Sequence, residues 1–280
     1  MDLHQLYQAL RQPPSALGLL PEGGRLRPQF HLQWVAETGS TNQDLMAQMM
    51  AGAAAGSVLI AGTQQSGRGQ WGRVWQSEQG GLYLSLGLRP EMTVQRSPYL
   101  TLASAWGLAT SLRHLGIPVQ VKWPNDLVVE GRKLGGLLVD TRIQGDRVPV
   151  AVVGLGLNYS NPVPPTGISL QQILACPQSA VPLTDLSAHL GSLENLAAVA
   201  LYGLMQGYHR WQNQGDLAFL NLYQQHMSHL GRTVVVGQNQ GTVTGIAPSG
   251  NLKVQIPSDS AGIFLEMEVK PGEVTLGYNA

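Results

Sequence analysis

Charged and amide side chains that could bind a carboxylate or a phosphate are concentrated in one short part of the chain. The segment Lys122-Trp123-Pro124-Asn125-Asp126 is followed closely by Lys133-Leu134-Gly135-Gly136. A lysine suits a carboxylate or phosphoryl oxygen, and a carboxylate with an amide suits Mg²⁺ that nucleotide phosphates largely hold. Asn-Asp after proline is also ordinary turn chemistry, so this segment by itself is compatible with an anion site or with a structural turn.

A glycine-rich run, Gly67-Arg68-Gly69-Gln70-Trp71-Gly72-Arg73, is the second candidate. It matches Gly-x-Gly-x-x-Gly, but a dinucleotide-binding loop leads at once into a helix whose N-terminus meets the pyrophosphate. Here the chain continues through Trp75 to Gly80-Gly81 and a predicted strand, without room for that helix, so we reject nicotinamide binding. The glycines allow backbone close to a ligand and the two arginines suit phosphate or carboxylate, although a solvated surface turn would have the same composition.

Two polar segments complete the set of candidates. Ser40-Thr41-Asn42 precedes an apolar run and, taken alone, is typical of a helix N-cap. Gly154-Leu155-Gly156-Leu157-Asn158 is an apolar strand that ends in a polar residue. Taken alone, it indicates a strand followed by a loop.

The composition limits the classes of protein that need to be considered. The chain has 280 residues, 43% of them hydrophobic and 12% charged, which is typical of a compact globular protein. Its 17 basic and 17 acidic residues cancel, so no general electrostatic attraction to nucleic acid or to an anionic membrane is expected. Cys176 is the single cysteine, which excludes an internal disulfide and a cysteine-rich zinc site. Without an export signal or a long apolar stretch, the sequence predicts a soluble, cytoplasmic protein.

The hydrophobic pattern predicts an α+β fold built on a mixed, largely antiparallel sheet. Hairpin-type turns at Glu130-Gly131 and Gln144-Gly145-Asp146 are the reason to expect antiparallel pairing. The predicted strands are residues 57–63, 82–88, 119–123, 127–130, 134–141 and 148–157. The predicted helices are residues 45–50, 99–115, a region opened by Thr184 and Asp185 with apolar positions at 193–204, and 217–230.

Three parts follow along the chain. Residues 1–32 are predicted to be a short N-terminal extension, too short for a winged-helix DNA-binding domain, so we expect neither sequence-specific DNA binding nor repressor activity. Residues 33–229 form the main predicted domain. In residues 230–280, five short segments with Gly or Pro turns predict a small β-barrel. These segments are residues 234–236, 241–246, 252–256, 264–269 and 273–276.

Taken together and in order, these segments resemble the catalytic region of biotin–protein ligases of the monofunctional type. The resemblance covers about residues 34–280. The matching pieces are Gly39-Ser40-Thr41-Asn42, residues 64–75, Leu82-Tyr83-Leu84-Ser85, residues 122–126, residues 133–138 and residues 154–158. It implies a class II synthetase-like biotin/lipoate ligase fold for the main domain and an SH3-like barrel at the C-terminus.

The resemblance implies an ATP-dependent, AMP-forming ligase. Biotin and ATP would give biotinyl-5'-AMP, with Mg²⁺ as cofactor, and a lysine of a biotin carboxyl carrier domain of acetyl-CoA carboxylase would then take the biotinyl group. Lys133 and Arg68 are the implied catalytic residues. The implied biotin-binding residues are Ser40, Thr41, Asn42, Gln64, Gly67, Arg68, Gly69, Gln70, Lys133, Gly136, Gly154 and Gly156. The implied ATP- and adenylate-binding residues are Arg73, Trp75, Lys122, Asn125, Asp126 and Asn158, with Asp126 also implied as the Mg²⁺ ligand.

The chain departs from the family's commonest pattern at two positions of the glycine run. An arginine usually stands at the position of Gln70, and a basic residue at that of Trp71. Gln70 keeps a donor but loses a charge, so we expect Arg68 and Arg73 to carry more of the ionic contacts and the loop to hold the adenylate less tightly.

Two other functions remain open at this point. A lipoate or octanoyl ligase or transferase would use a similar catalytic fold, and a biotin-binding module without catalysis would keep the pocket but not the reaction. No membrane partner is expected, and the sequence is compatible with a monomer or a homodimer.

Overall fold

A large mixed sheet forms the centre of the molecule. The computed structural model describes residues 1–17, 19, 28–175, 190–257 and 264–278. The strands of this sheet are β1 His31–Thr38, β2 Ser57–Gln64, β3 Leu82–Leu88, β4 Met92–Thr93, β5 Gln120–Lys122, β6 Asp126–Val129, β7 Arg132–Gln144 and β8 Arg147–Leu157. Their spatial order is β1-β2-β3-β8-β7-β6-β5, with β4 added against β8. β1 and β2 are parallel and the other pairs are antiparallel, which confirms the predicted fold class.

Helices cover both faces of this sheet. Those of the described residues are α1 Leu3–Arg11, α2 Thr41–Met50, α3 Ser97–His114, α4 Leu170–Leu174, α5 Leu193–Gln214 and α6 Asp216–Gln224. On one face, Leu45 and Met49 of α2 pack on Leu59 and Val152. On the other face, α3 and α5 join the main core. All seven residues of β3 are buried because both of its faces are covered.

Glycines allow α3 and α5 to pack closely. A Cβ at Gly207 would lie 1.9 Å from the carbonyl oxygen of Ala103, and a Cβ at Gly107 would lie 2.1 Å from that of Gly203. Any larger residue at these positions would separate the helices. The helix pair therefore forms a tightly packed layer behind the strands that carry the candidate residues.

One predicted helix is shorter than expected. The region 217–230 was predicted as a single helix, but α6 ends at Gln224. Beyond it, Val121 of β5 donates its backbone N–H to the carbonyl of His226, and Ser228 donates to the carbonyl of Val121. Pairing with β5 therefore replaces the last helical turns. The helix start predicted at Thr184 and Asp185 lies outside the described residues.

The C-terminal region forms a second, smaller sheet. Its strands are β9 Thr233–Val236, β10 Asn239–Ile246, β11 Leu252–Pro257 and β12 Phe264–Val269, in the order β12-β11-β10-β9. The prediction of a fifth strand at 273–276 was wrong. In the described part of this region, one isolated bridge from Val236 to Val274 stands in its place, and the described strands do not close into a barrel. The chain turns at Gly272, where φ is +96°, and then leaves the sheet towards the main domain.

Several hydrogen bonds attach the small sheet to the rest of the molecule. The Tyr99 hydroxyl donates to the carbonyl of Pro248 at 2.7 Å, and the Trp123 indole donates to the carbonyl of Gly250 at 3.1 Å. Side chains of β10 and β11 also belong to the same continuous core as the large sheet. The domain boundary near residue 230 stays a prediction. None of the described helices is both long and apolar enough to cross a membrane.

Candidate active site

The candidate residues surround a cavity of about 390 Å³ at one end of the large sheet. The glycine-rich loop forms one wall, the β5–β6 turn with the start of β7 forms another, and β8 forms the floor. The segment 271–278, which leaves the small sheet, closes the remaining side. The sequence-predicted residues that line the cavity are Ser40, Thr41, Asn42, Gln64, Arg68, Gly69, Gln70, Arg73, Trp75, Lys122, Asn125, Asp126, Lys133, Gly136, Gly154 and Gly156.

A cluster of two lysines and one carboxylate lies at one end of the cavity. Lys122 Nζ and Asp126 Oδ2 are 3.9 Å apart across the β5–β6 turn, while Lys133 Nζ lies 2.7 Å from Asp126 Oδ1. Lys122 is almost fully buried, and burial lowers the pKa of its ammonium group to about 8, opposed by the attraction of Asp126 and assisted by the positive charges of Lys133 and Arg73. One carboxylate thus partly neutralises two lysines, and the excess positive charge suits an anionic ligand.

The other end of the cavity carries neutral polar groups in a buried network. Gln64 accepts hydrogen bonds from the backbone N–H and the hydroxyl of Thr41, at 2.9 and 3.1 Å, and donates to Ser77 at 2.8 Å. The Ser85 hydroxyl lies 2.8 Å from that of Thr41 and 2.7 Å from Asn42 Oδ1. Such groups suit a neutral polar ligand.

Ser40 does not act as the side-chain cap that its motif suggested. It occupies the N-cap position of α2, but its hydroxyl makes no capping hydrogen bond. The side chain is buried and lines the cavity. The first turn of α2 is instead held by Gln64, through the backbone of Thr41. The Ser40 side chain is therefore part of the cavity wall and not the cap of the helix.

Glycines of β7 and β8 make room for the side chains of the cavity. A Cβ at Gly154 would lie 2.2 Å from Asn42 Oδ1, and a Cβ at Gly156 would lie 2.4 Å from the Trp75 ring. A Cβ at Gly136 would lie 3.0 Å from Asp126 Oδ1. The glycines of the two strands therefore have a steric role. Any side chain at these positions would collide with Asn42, Trp75 or Asp126, which lie directly on the backbone of the strands.

The glycine-rich loop is attached to the sheet and to the C-terminal segment. Arg68 and Asp140 are 3.5 Å apart, but Arg68 is exposed, so the pair contributes little stability. Trp71 has left-handed backbone (φ 60°) and is 67% exposed; a Cβ at Gly272 would lie 3.2 Å from its ring. The loop and the segment 271–278 therefore meet across the cavity.

Two predicted site residues do not line the cavity. Gly67 is buried beneath it, where a Cβ would lie 2.4 Å from the carbonyl oxygen of Trp75. Asn158 is also buried: its amide nitrogen donates to the carbonyls of Lys133 and Ile168, and its oxygen accepts from Asn161. Its contacts hold the loop after β8 against the lysine-bearing strand, and an adenylate contact for Asn158 stays a prediction.

Several residues that the sequence did not single out belong to the site. Ser77 and Ser85 complete the polar network, and Ser85 could have been noticed as a polar residue inside the apolar strand Leu82–Leu88. Tyr278 lies far along the chain, yet its hydroxyl hydrogen-bonds to Asp126 and its ring centroid lies 3.2 Å from Lys122 Nζ. No spacing in the sequence connects it to those residues.

Asp126 was also predicted to hold Mg²⁺. Its two carboxylate oxygens are engaged by Lys133 and by the Tyr278 hydroxyl. Among the described residues, no group of three or more His, Cys, Asp or Glu side chains could hold a metal ion. Asp126 as a ligand of Mg²⁺ that nucleotide phosphates largely hold stays a prediction.

Comparison with protein families gives a match over the site-bearing part of the chain. The model of the biotin/lipoate A/B protein ligase family matches residues 35–158. The bifunctional ligase/repressor BirA of Salmonella typhimurium is 30% identical over 223 residues, which cover 77% of this chain and 67% of the relative. The biotin–[acetyl-CoA-carboxylase] ligase of Mycobacterium tuberculosis is 39% identical over 136 residues, which are 46% of this chain and 49% of the relative.

Other relatives match over a smaller share of their length. BirA of Bacillus subtilis is 37% identical over 107 residues, so the chain spans 33% of that protein.

Among solved structures, the biotin protein ligase of Aquifex aeolicus in complex with biotin and ATP superposes with a TM-score of 0.65. It is 24% identical, and the match covers 89% of this chain and 99% of that one. At this identity the likeness establishes the fold.

Proposed function

The chain belongs to the biotin/lipoate A/B protein ligase family, and from this premise we propose that it is a biotin–protein ligase. The reaction has two steps. The carboxylate of biotin attacks the α-phosphorus of ATP and pyrophosphate leaves, giving biotinyl-5'-AMP. The amine of an acceptor lysine then attacks the acyl carbon, forming an amide and releasing AMP.

One observation carries this proposal: a lysine-rich anion site and a neutral polar site share one cavity. Lys133 and Lys122 lie at one end, and the network of Thr41 and Gln64 lies at the other. The first step brings two anions together, and fixed positive charges lower their mutual repulsion. In this proposal Lys133 holds the carboxylate and then the acyl-phosphate oxygen, while Arg73 holds the phosphates.

The neutral end of the cavity supports biotin as the acid. The ureido ring of biotin is neutral and carries both donors and acceptors. Ser40, Thr41 and Gln64 present hydroxyl and amide groups of matching kind. A dithiolane ring or an alkyl chain could make no hydrogen bonds with these groups, whereas the ureido ring can. This supports biotin over lipoate or octanoate.

We further propose a carboxyl carrier domain as the acceptor, because one relative is named as a biotin–[acetyl-CoA-carboxylase] ligase. The loop and the segment 271–278 line one side of the cavity, and we expect the acceptor lysine to approach the adenylate from that side. A cytoplasmic location fits this acceptor.

Biotin-dependent exchange between ATP and labelled pyrophosphate tests the proposal. We expect exchange with biotin and none with lipoate or octanoate, followed by transfer of biotin to a carrier domain. Exchange that depends on lipoate would show that lipoate, and not biotin, is the substrate. Biotin binding without exchange would indicate a biotin-binding module that does not catalyse the reaction, and would contradict the proposal.

A further inference from the structure

The end of the segment 271–278 reaches into the charged cluster. The Tyr278 hydroxyl hydrogen-bonds to Asp126 Oδ2, and its ring centroid lies 3.2 Å from Lys122 Nζ and 5.8 Å from Lys133 Nζ. In this hydrogen bond the phenol is the donor and the carboxylate is the acceptor. The tyrosine thus contacts all three charged groups of the cluster.

The two oxygens of Asp126 have different partners. Oδ1 lies 2.7 Å from Lys133 Nζ, within a charge-assisted hydrogen bond. Oδ2 accepts from Tyr278 and remains 3.9 Å from Lys122 Nζ. The tyrosine therefore occupies the carboxylate oxygen with which Lys122 would otherwise pair closely.

We propose that Tyr278 is a positioning residue for nucleotide binding: it holds Asp126 on Lys133 and keeps it from pairing more closely with Lys122. The cluster then keeps a surplus of positive charge directed at the phosphates. Without the hydroxyl, Oδ2 turns to Lys122, and a single carboxylate pairs tightly with both lysines. The anion here is the ATP of the proposed function, on which this inference rests.

Removing only the hydroxyl tests this role. We expect Tyr278→Phe to weaken ATP binding and to raise the KM for ATP about three- to tenfold, the range expected for loss of one hydrogen bond. The KM for biotin should change less than about twofold because the polar end of the cavity is untouched. Tyr208→Phe, which removes a hydroxyl from α5 away from the cavity, is the matched control and should behave as the wild type.

A second variant shows whether the effect passes through Asp126. In an Asp126→Asn background the carboxylate that Tyr278 orients is gone, so Tyr278→Phe should have no further effect on ATP binding. Effects of residues in one hydrogen-bonded network are non-additive in this way. Equal effects of Tyr278→Phe in both backgrounds would contradict a role through Asp126, as would a parallel loss of ATP and biotin affinity.

Titration calorimetry with ATP alone separates this inference from the proposed function. Wild-type protein that binds ATP but lacks biotin-dependent exchange contradicts the proposed function, while the tyrosine variants can still be compared. Unchanged ATP affinity in Tyr278→Phe overturns the inference even if exchange is normal. Absence of ATP binding by the wild type overturns both.

Discussion

Lys133 is the residue on which the proposed chemistry depends most. Its Nζ lies 2.7 Å from Asp126 and 5.1 Å from the centroid of the Trp75 ring, so a carboxylate and an aromatic face hold it at the edge of the cavity. Its backbone carbonyl accepts a hydrogen bond from the Asn158 side chain, which holds this part of β7 in place. A substrate carboxylate that reaches Lys133 meets an ammonium group whose position is already set.

Replacing this lysine should reduce activation of biotin. A hydrogen bond to a charged group contributes about 1.5–3 kcal/mol, so Lys133→Ala should lower the rate of biotin-dependent ATP–pyrophosphate exchange by at least about tenfold. Lys253, which pairs with Glu266 on the small sheet, offers a matched control, and Lys253→Ala should exchange normally. Exchange at the wild-type rate in Lys133→Ala would refute the assignment.

At the scale of elements, β8 supplies the floor of the cavity by lacking side chains there. Asn42 of α2 lies on Gly154, and its amide nitrogen donates to the carbonyl of Leu138 and to Asp140. Its oxygen accepts from Ser85 of β3. One asparagine thus connects α2 with β3 and β7, and the missing side chain on β8 makes that arrangement possible.

A methyl group at this point should disturb both stability and binding. In Gly154→Ala the new Cβ would lie 2.2 Å from Asn42 Oδ1, and moving Asn42 breaks its buried hydrogen bonds. We expect a loss of about 1–3 kcal/mol in the free energy of unfolding, measured with urea, and weaker biotin binding.

Gly39 provides the comparison for this variant. No atom of the described residues lies within 4 Å of a Cβ built there, and its backbone is not left-handed. Gly39→Ala should therefore keep the unfolding free energy within about 0.5 kcal/mol of the wild type. Equal stability of Gly154→Ala and Gly39→Ala would contradict a tight contact between Gly154 and Asn42.

At the scale of the whole molecule, partly buried histidines make stability depend on pH. Burial, with the neighbouring charges of Lys122 and Arg232, lowers the pKa of His229 to about 4 from an ordinary value of 6.5. Burial also lowers the pKa of His226 and of His209. Within the part of the chain that the structure describes, His226 Nδ1 is buried without a hydrogen-bond partner, so a proton there would have no acceptor.

The unfolded chain therefore binds more protons than the folded one between about pH 6.5 and pH 4, and stability falls as the pH falls through that window. We expect the unfolding free energy to be lower at about pH 5 than at about pH 7.5, by on the order of 1 kcal/mol for His229. Replacing His229 by Gln should reduce the difference between the two urea titrations. Equal stability at both pH values would contradict the prediction.

The sequence by itself determined the order of the elements and most of the candidate site. Alternating or continuous apolar runs predicted β2, β3 and β8 almost to the residue, because burial sets side-chain periodicity locally. The charged and glycine-rich segments were recognisable because the chemistry of an anion site restricts residue types. Most of those residues, far apart in sequence, do line one cavity.

Only the tertiary structure decided the contacts between distant parts of the chain. The helix after Asp216 ends at Gln224 because β5 pairs with the following residues, and the last predicted strand is reduced to a bridge because the chain turns into the cavity. Tyr278 reaches Asp126 across 152 positions of sequence. Neither periodicity nor motif spacing records such a contact, since it depends on how two sheets are placed relative to each other.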